Sequence, residues 1–416
     1  MGASATRYES LDAIRGVAVM GILAMNIVAF ALPFPAYGNP AAGGPPGDLD
    51  LATWFFNFVA IDSKMRGMFS MLFGASTLLV IERAMAGGRG AAGAHYSRMF
   101  WLAVFGLGHF YLIWFGDILF LYAMSGLLLF LFRKLSVKAL LLWSIPFFLI
   151  GIGLPGSLWA MLSMAEAGSL PPEMMAGMKE ALAEMNADMG PDTPTYAKDI
   201  AIYLGSYAGI VGHRTGEMGG DPLFFLVMFL WETMGLMLVG MALFKSRMLT
   251  GEWDAARYRK WALWGFLIGV PPLAGLALYQ VNAGFSAVSV FGATMALSIP
   301  FDTAMTIGWA ALIMLLIKTA ASDAVRARLA ATGRMAFTNY LTTSIVMTTI
   351  FYGYGLGLFG SVGRLPLYLF CLGMWAAMLL WSKPWLDRFH YGPLEWLWRS
   401  LSRWSLQPMR KTAVVQ

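Results

Sequence analysis

The sequence predicts an all-α, polytopic membrane protein of about ten transmembrane helices, with amphipathic helices lying on the membrane surface. Three observations carry this fold class. Hydrophobic residues make up 58% of the 416 and charged residues only 12%, more apolar surface than a soluble chain of this length can hide. Several apolar runs reach about 20 residues, enough to cross a bilayer as helix. The runs are continuous rather than alternating at every second position, which excludes a closed β-barrel.

The spans read, in order, as 11–32, 66–85, 99–115, 118–132, 137–161, 223–244, 261–281, 287–318, 335–358 and 365–381. The eighth is too long for one simple crossing, and Pro300 with Asp302 is where it should break or kink. The whole chain, 1–416, reads as a single transmembrane unit. An outer loop at 33–50 is rich in Pro and Gly and cannot be helical along its length. A long, Met-rich outer (periplasmic) segment, 165–222, suits short surface helices. The tail, 384–416, contains "GPLEWLWRSLSRW", where Trp alternates with basic residues as in an interfacial cytoplasmic helix. Its Glu395 and Arg399 are spaced i,i+4, as in a surface pair of small energetic value.

Loop charges orient these spans. About 22 of the 29 basic residues fall on one side, Arg7 and Arg89 among them, and about six on the other. By the positive-inside rule both termini are cytoplasmic, in agreement with an even span count. The net charge of +6 therefore reads as a membrane's cytoplasmic face and not as a nucleic-acid surface. Cys371 is the one cysteine, so neither an intramolecular disulfide nor a paired-cysteine zinc site forms, and no metal is predicted. The first apolar stretch lacks the features of a cleavable signal peptide. No Walker A loop, nucleophile elbow or zinc-protease motif is present.

Polar residues kept inside spans mark function or interhelical glue. "LDAIRG" puts Asp12 and Arg15 three apart on one helix face. The bland reading is a helix-end salt bridge. The functional one is an Arg at the cytoplasmic mouth of a cavity, placed for a phosphate-bearing ligand. Asn26 lies about 16 Å deeper, at 1.5 Å per residue. "IDSKMRGMFSMLFG" sets Lys64 and Arg66 at the outer edge, either snorkelling or contacting an anion. His109, in "FGLGHFYLIWFGDIL", is the one histidine of four well inside a span. It either ties two helices together or acts as a catalytic base. Asp117 stands at an N-cap position for the fourth span and is placed to orient His109 across the outer turn. Glu232, mid-span in "FLWETMGLML", is expected to be protonated or paired, and Asp302 is similar. Asn339 and Tyr340 occupy the cytoplasmic third of the ninth span.

Taken together, "LDAIRG…MNI", "KMRGMFSMLFG", "FGLGHFYLIWFGDIL", "GRMAFTNYL" and "GPLEWLWRSL" resemble the YeiB-like bacterial inner-membrane proteins, a domain of unknown function, along nearly the whole chain. That family is similar to a broader group of transmembrane acyltransferases, including the lysosomal enzyme that acetylates terminal glucosamine of heparan sulfate. The resemblance implies acyl transfer, most simply acetyl, from cytoplasmic acyl-CoA to a hydroxyl or amine acceptor such as an envelope glycan or small metabolite. It makes His109 and Asp117 the catalytic candidates, with His109 as general base or acyl carrier. Asp12, Arg15, Asn26, Lys64, Ser70, Glu232, Asn339 and Tyr340 become candidates for substrate or cofactor binding. The implied partners are the bilayer, acyl-CoA, an acceptor and a second copy in a homodimer. A transporter or flippase is the competing expectation, motivated by Glu232, Asp302 and the broken eighth span.

Overall fold

A computed structural model describes residues 8–88 and 90–411; Arg7 and Arg89 lie outside the described residues. The helices run α1 (Glu9–Ala31), α2 (Phe34–Gly38), α3 (Asp48–Phe56), α4 (Lys64–Ala86), α5 (Ala91–Gly108), α6 (Leu119–Phe132), α7 (Val137–Glu166), α8 (Pro172–Met189) and α9 (Pro194–Tyr203). They continue as α10 (Tyr207–Thr215), α11 (Asp221–Lys245), α12 (Ala255–Asn282), α13 (Ala287–Gly292), α14 (Ile299–Thr319), α15 (Asp323–Arg334), α16 (Ala336–Phe351), α17 (Arg364–Arg388) and α18 (Pro393–Ser402). Three π-helical turns join or extend them, Asn57–Ile61, His109–Ile113 and Ala293–Leu297. The described residues contain no strand.

The fold is an all-helical membrane protein. Among the described residues, seven helical segments are long and apolar enough to span a bilayer: α1, α3 running into α4, α7, α11, α12, α14 and α17. The remaining runs read from sequence as spans correspond to shorter helices, α5 with its π turn, α6 and α16. Burial sorts centre from rim. The apolar window of α1 is 83% buried and that of α7 only 17%, so α1 is the central post and α7 faces lipid. The eighth run breaks at Ser298, between the third π turn and α14, with Pro300 in the first turn of α14 where its missing N–H costs nothing.

Two helices were not anticipated. α3 precedes the second span and is joined to it by a π turn and a kink at Ser63, whose φ is +60°; its apolar run is too short to announce itself. α15 lies in what reads as a basic loop and packs along α1. Glycines permit that approach: a Cβ on Gly333 would stand 1.8 Å from the Asp12 carbonyl oxygen, and one on Gly16 would stand 2.1 Å from that of Leu329. These are the glycines of "LDAIRG" and "GRMAFTNYL", so the two motifs are one helix crossing.

The start of α1 and the helix α18 share one end of the bundle, since Tyr8 and Arg399 line the same cavity. The opposite end is built from α2, α8 to α10 and the loop after α16. There the Asp50 carboxylate accepts from Arg364 N–H at 2.8 Å, and Gly353 N–H donates to Tyr203 O at 2.8 Å.

Candidate functional site

A cavity of about 500 Å³ opens at the end of the bundle that carries the start of α1 and α18. Five arginines line it: Arg15 from α1, Arg83 from α4, Arg98 from α5, Arg334 from α15 and Arg399 from α18. Two carboxylates, Asp12 and Glu395, share the wall. Arg15 is held by Asp12 at 2.9 Å and donates to Ser76 Oγ on α4 at 2.7 Å. Arg98 stacks over the Trp398 ring at 4.0 Å, and Arg399 over Tyr391 at 4.5 Å. Guanidinium groups gathered from five helices around a low-dielectric space form a site for a multiply charged oxyanion.

Glu395 is no surface pair. Its carboxylate accepts from the backbone N–H groups of Phe337 at 2.7 Å and Thr338 at 3.0 Å, and from the Thr338 hydroxyl. It thus caps the start of α16, where the helix dipole favours negative charge. Burial raises its pKa, against the pull of these donors. The cap joins α18 to α16 and closes one side of the cavity.

The deep wall is apolar and aromatic, with Leu102, Leu119, Tyr122 and Tyr340. His109 lies just behind it, 1% exposed, its ring 5.2 Å from that of Tyr340. It opens the π turn His109–Ile113; such single π turns occur preferentially at functional positions. His109 Nδ1 is 2.9 Å from Asp117 Oδ1. Asp117 Oδ2 accepts from Phe120 N–H at 2.8 Å, so one carboxylate caps α6 and holds the imidazole. Gly106 permits this closeness: a Cβ there would meet Phe120 N at 2.3 Å and Asp117 Oδ2 at 2.9 Å. With Nδ1 turned to Asp117, Nε2 is the free nitrogen, buried and without a hydrogen-bond partner.

Other sequence candidates fall into three places. Ser70 lies buried behind the inner wall, bonded to Tyr122 Oη at 2.7 Å, and Tyr340, in that wall, donates to Gly116 O at 3.3 Å. Asn26 lines a separate small void of about 10 Å³ with Tyr340, Thr343 and Ser344. Lys64 and Glu232 lie outside the cavity. Lys64 pairs with Asp302 at 2.7 Å and Arg66 with Glu232 at 2.7 Å, tying α4 to α14 and α11. Lys64 is 1% exposed, so it is buried and paired rather than snorkelling. Asn339 is not brought to the cavity either. Its amide donates to Thr332 O at 3.1 Å and Ser382 Oγ at 3.3 Å, and accepts from Trp381 Nε1 at 3.0 Å. Sequence reading missed Arg83, Arg98, Arg334 and Tyr122 as site residues. The available signal was arginine recurring at the same end of several helices, which reads equally as topology.

Fold and site together define a polytopic helical membrane protein with an arginine-lined cavity backed by a buried His–Asp pair. A family model described as "Protein of unknown function (DUF418)" matches residues 243–405. The Escherichia coli (strain K12) protein described as "Uncharacterized protein YeiB" is 33% identical over 401 residues, 95% of this chain and 96% of its own. "Uncharacterized protein YxaH" of Bacillus subtilis (strain 168) is 32% identical over 369 residues, 85% of this chain and 83% of its own. No solved structure matches. The chain belongs to the YeiB-like DUF418 family.

Proposed function

We propose that this protein is a membrane acyltransferase that moves an acyl group, most simply acetyl, from acyl-CoA to a hydroxyl or amine acceptor. One observation carries the reading: an arginine-lined cavity ends on the residues that pack against a buried His109–Asp117 pair. The arginines supply the charge and geometry that phosphates require, and the apolar deep wall suits an acyl-pantetheine arm. The preponderance of basic residues at this end argues that it faces the cytoplasm, with the protein in a bacterial inner membrane and both termini cytoplasmic.

In the reaction, His109 Nε2 takes the proton of the acceptor O–H or N–H as that atom attacks the thioester carbonyl. The C–S bond breaks, and the proton passes to the departing thiolate, giving free coenzyme A and the acylated acceptor. Asp117 keeps the proton on Nδ1 and steadies the imidazolium formed in transit. Tyr340, which lines the cavity, is the candidate donor to the carbonyl oxygen as negative charge develops, whereas Asn26 lies in its separate void. The same constellation serves a route in which His109 carries the acyl group itself. The transport reading rests on Glu232, Asp302 and the broken eighth span; both carboxylates are paired with cations of α4, which leaves the break as its remaining ground.

The test is release of free coenzyme A from labelled acetyl-CoA by the purified protein in vesicles supplied with candidate acceptors. Wild type should turn over, and a folded His109→Ala variant should not. Equal turnover by both removes His109 from the chemistry.

A further inference from the structure

We propose that Arg214 anchors a second oxyanion site, at the end of the bundle opposite the arginine-lined cavity, and that it takes a phosphate group. Arg214 lies on α10 and is 1% exposed. A guanidinium stays charged in any protein environment, and an uncompensated buried charge is costly. Yet no carboxylate pairs with Arg214 among the described residues; its polar neighbours are the hydroxyls of Tyr203 and Tyr352, and none of its nitrogens makes a well-formed hydrogen bond to them. Two acids at this end of the bundle are committed elsewhere. Asp199 accepts from Phe34 N–H at 2.9 Å, and Glu217 pairs with Lys198 at 2.6 Å and lies 3.5 Å from His213.

The protein does not treat its other buried cations this way. Lys64 and Arg66 each have a carboxylate at 2.7 Å, and Arg364 donates to Ala36 O. Around Arg214 the structure supplies neutral phenol hydroxyls instead. The Tyr352 ring lies 5.7 Å from its Cζ, and the Tyr352 hydroxyl is itself buried without a partner. Tyr203 packs on Tyr352 with ring centroids 4.9 Å apart. A guanidinium fork beside neutral phenol hydroxyls, with no anion paired to it, suits a ligand rich in acceptor oxygens. A phosphate offers several oxygens in different directions to such a set.

The site is separate from the first. Tyr352 stands twelve residues beyond Tyr340, about 18 Å further along the chain's helical rise. α10 is fastened to the π turn that holds His109, with Tyr207 Oη donating to Leu112 O at 2.9 Å and Tyr111 Oη to Gly219 O at 2.7 Å. The inference does not depend on acyl transfer, because it concerns binding alone. If that reading holds as well, a phosphate-bearing acceptor would be gripped from the side away from coenzyme A.

The experiment measures phosphate binding by thermal shift on the full chain. One arm uses inorganic phosphate with protein in neutral detergent. The other uses nanodiscs of phosphatidylcholine with and without phosphatidic acid. Wild type should show a saturable shift that weakens about tenfold or more in Arg214→Gln, the loss of a charge-assisted contact, and that persists in Arg399→Gln. A shift with inorganic phosphate identifies a free phosphate site; a shift with phosphatidic acid alone identifies a lipid phosphate. Equal affinity in wild type and Arg214→Gln, or no response of wild type in either arm, overturns the proposal. Should Arg214→Gln fail to fold, Tyr352→Phe decides: weakened binding supports the site, and unchanged binding refutes it.

Discussion

Two sets of charges are embedded among these helices, and they are handled in opposite ways. In the set formed by α4, α11 and α14, Lys64 meets Asp302 and Arg66 meets Glu232, each at 2.7 Å, and none of the four lines the arginine cavity. In the set formed by α1, α4, α5, α15 and α18, five arginines and two carboxylates face about 500 Å³ of space. Intramembrane charge of either kind attracts a functional reading. The difference teaches that pairing separates the kinds. Charges that close on one another fasten helices, whereas an excess of one sign around a void is the arrangement that a ligand of opposite charge would require.

This contrast breaks most readily at His109, where the largest effect is expected. Removing a general base costs about 10²–10⁴-fold in rate, so His109→Ala should abolish coenzyme A release while gel filtration and apparent Tm stay near wild type. A large loss of Tm with turnover intact would move His109 to the fastening class.

Next comes Asp302→Ala, which leaves the Lys64 ammonium buried without its partner. Breaking a buried pair costs about 3–5 kcal/mol, and the apparent Tm in detergent should fall steeply. Lys64→Met combined with Asp302→Leu should recover much of that loss, because neither charge is then left alone. If Asp302→Ala is neutral for stability but destroys activity, the α4 set belongs with the functional charges.

A smaller effect is expected at the cavity rim. Arg15→Gln or Arg399→Gln should each weaken coenzyme A binding about tenfold, the size of one charge-assisted hydrogen bond, measured by calorimetry. The turnover of bound acyl-CoA should change less. Wild-type affinity in both variants would strip the cavity of its assigned ligand.

The smallest effect belongs to the solvated pair at the opposite end. The hydrogen bond from Lys198, then the charges of His213 and Lys198, hold the Glu217 carboxyl below its ordinary range. A depressed carboxylate pKa stabilises the fold above the ordinary carboxylate range, and the benefit fades as pH falls through the lowered value. Glu217→Gln should therefore trim stability slightly at neutral pH and not at all at low pH, read from melting curves across that range.

The His109–Asp117 contact was legible in the sequence because the two residues lie eight apart and a tight turn returns the chain on itself. The arginine cavity was not, because its walls come from helices as distant as α1 and α18. Arginine at helix ends also satisfies the positive-inside rule, so one signal had two readings. Asn339 shows the reverse failure. An amide inside a span looks like a ligand site, yet here Thr332, Ser382 and Trp381 saturate it. Glu395 looked like half of a surface pair because i,i+4 spacing is local. Its real partner is the start of α16, nearly 60 residues away. α3 and α15 escaped notice because one is short and the other polar.

The central claim is that the cavity leads a coenzyme A thioester to His109. A density map of the protein with a non-hydrolysable acetyl-CoA analogue tests it most directly. The predicted result is phosphates among Arg15, Arg98 and Arg399, and a pantetheine arm passing Leu102 and Leu119 to bring the acyl carbon beside Tyr340, within reach of His109 Nε2. A cavity unchanged by the analogue, or filled by lipid in its presence, would contradict it.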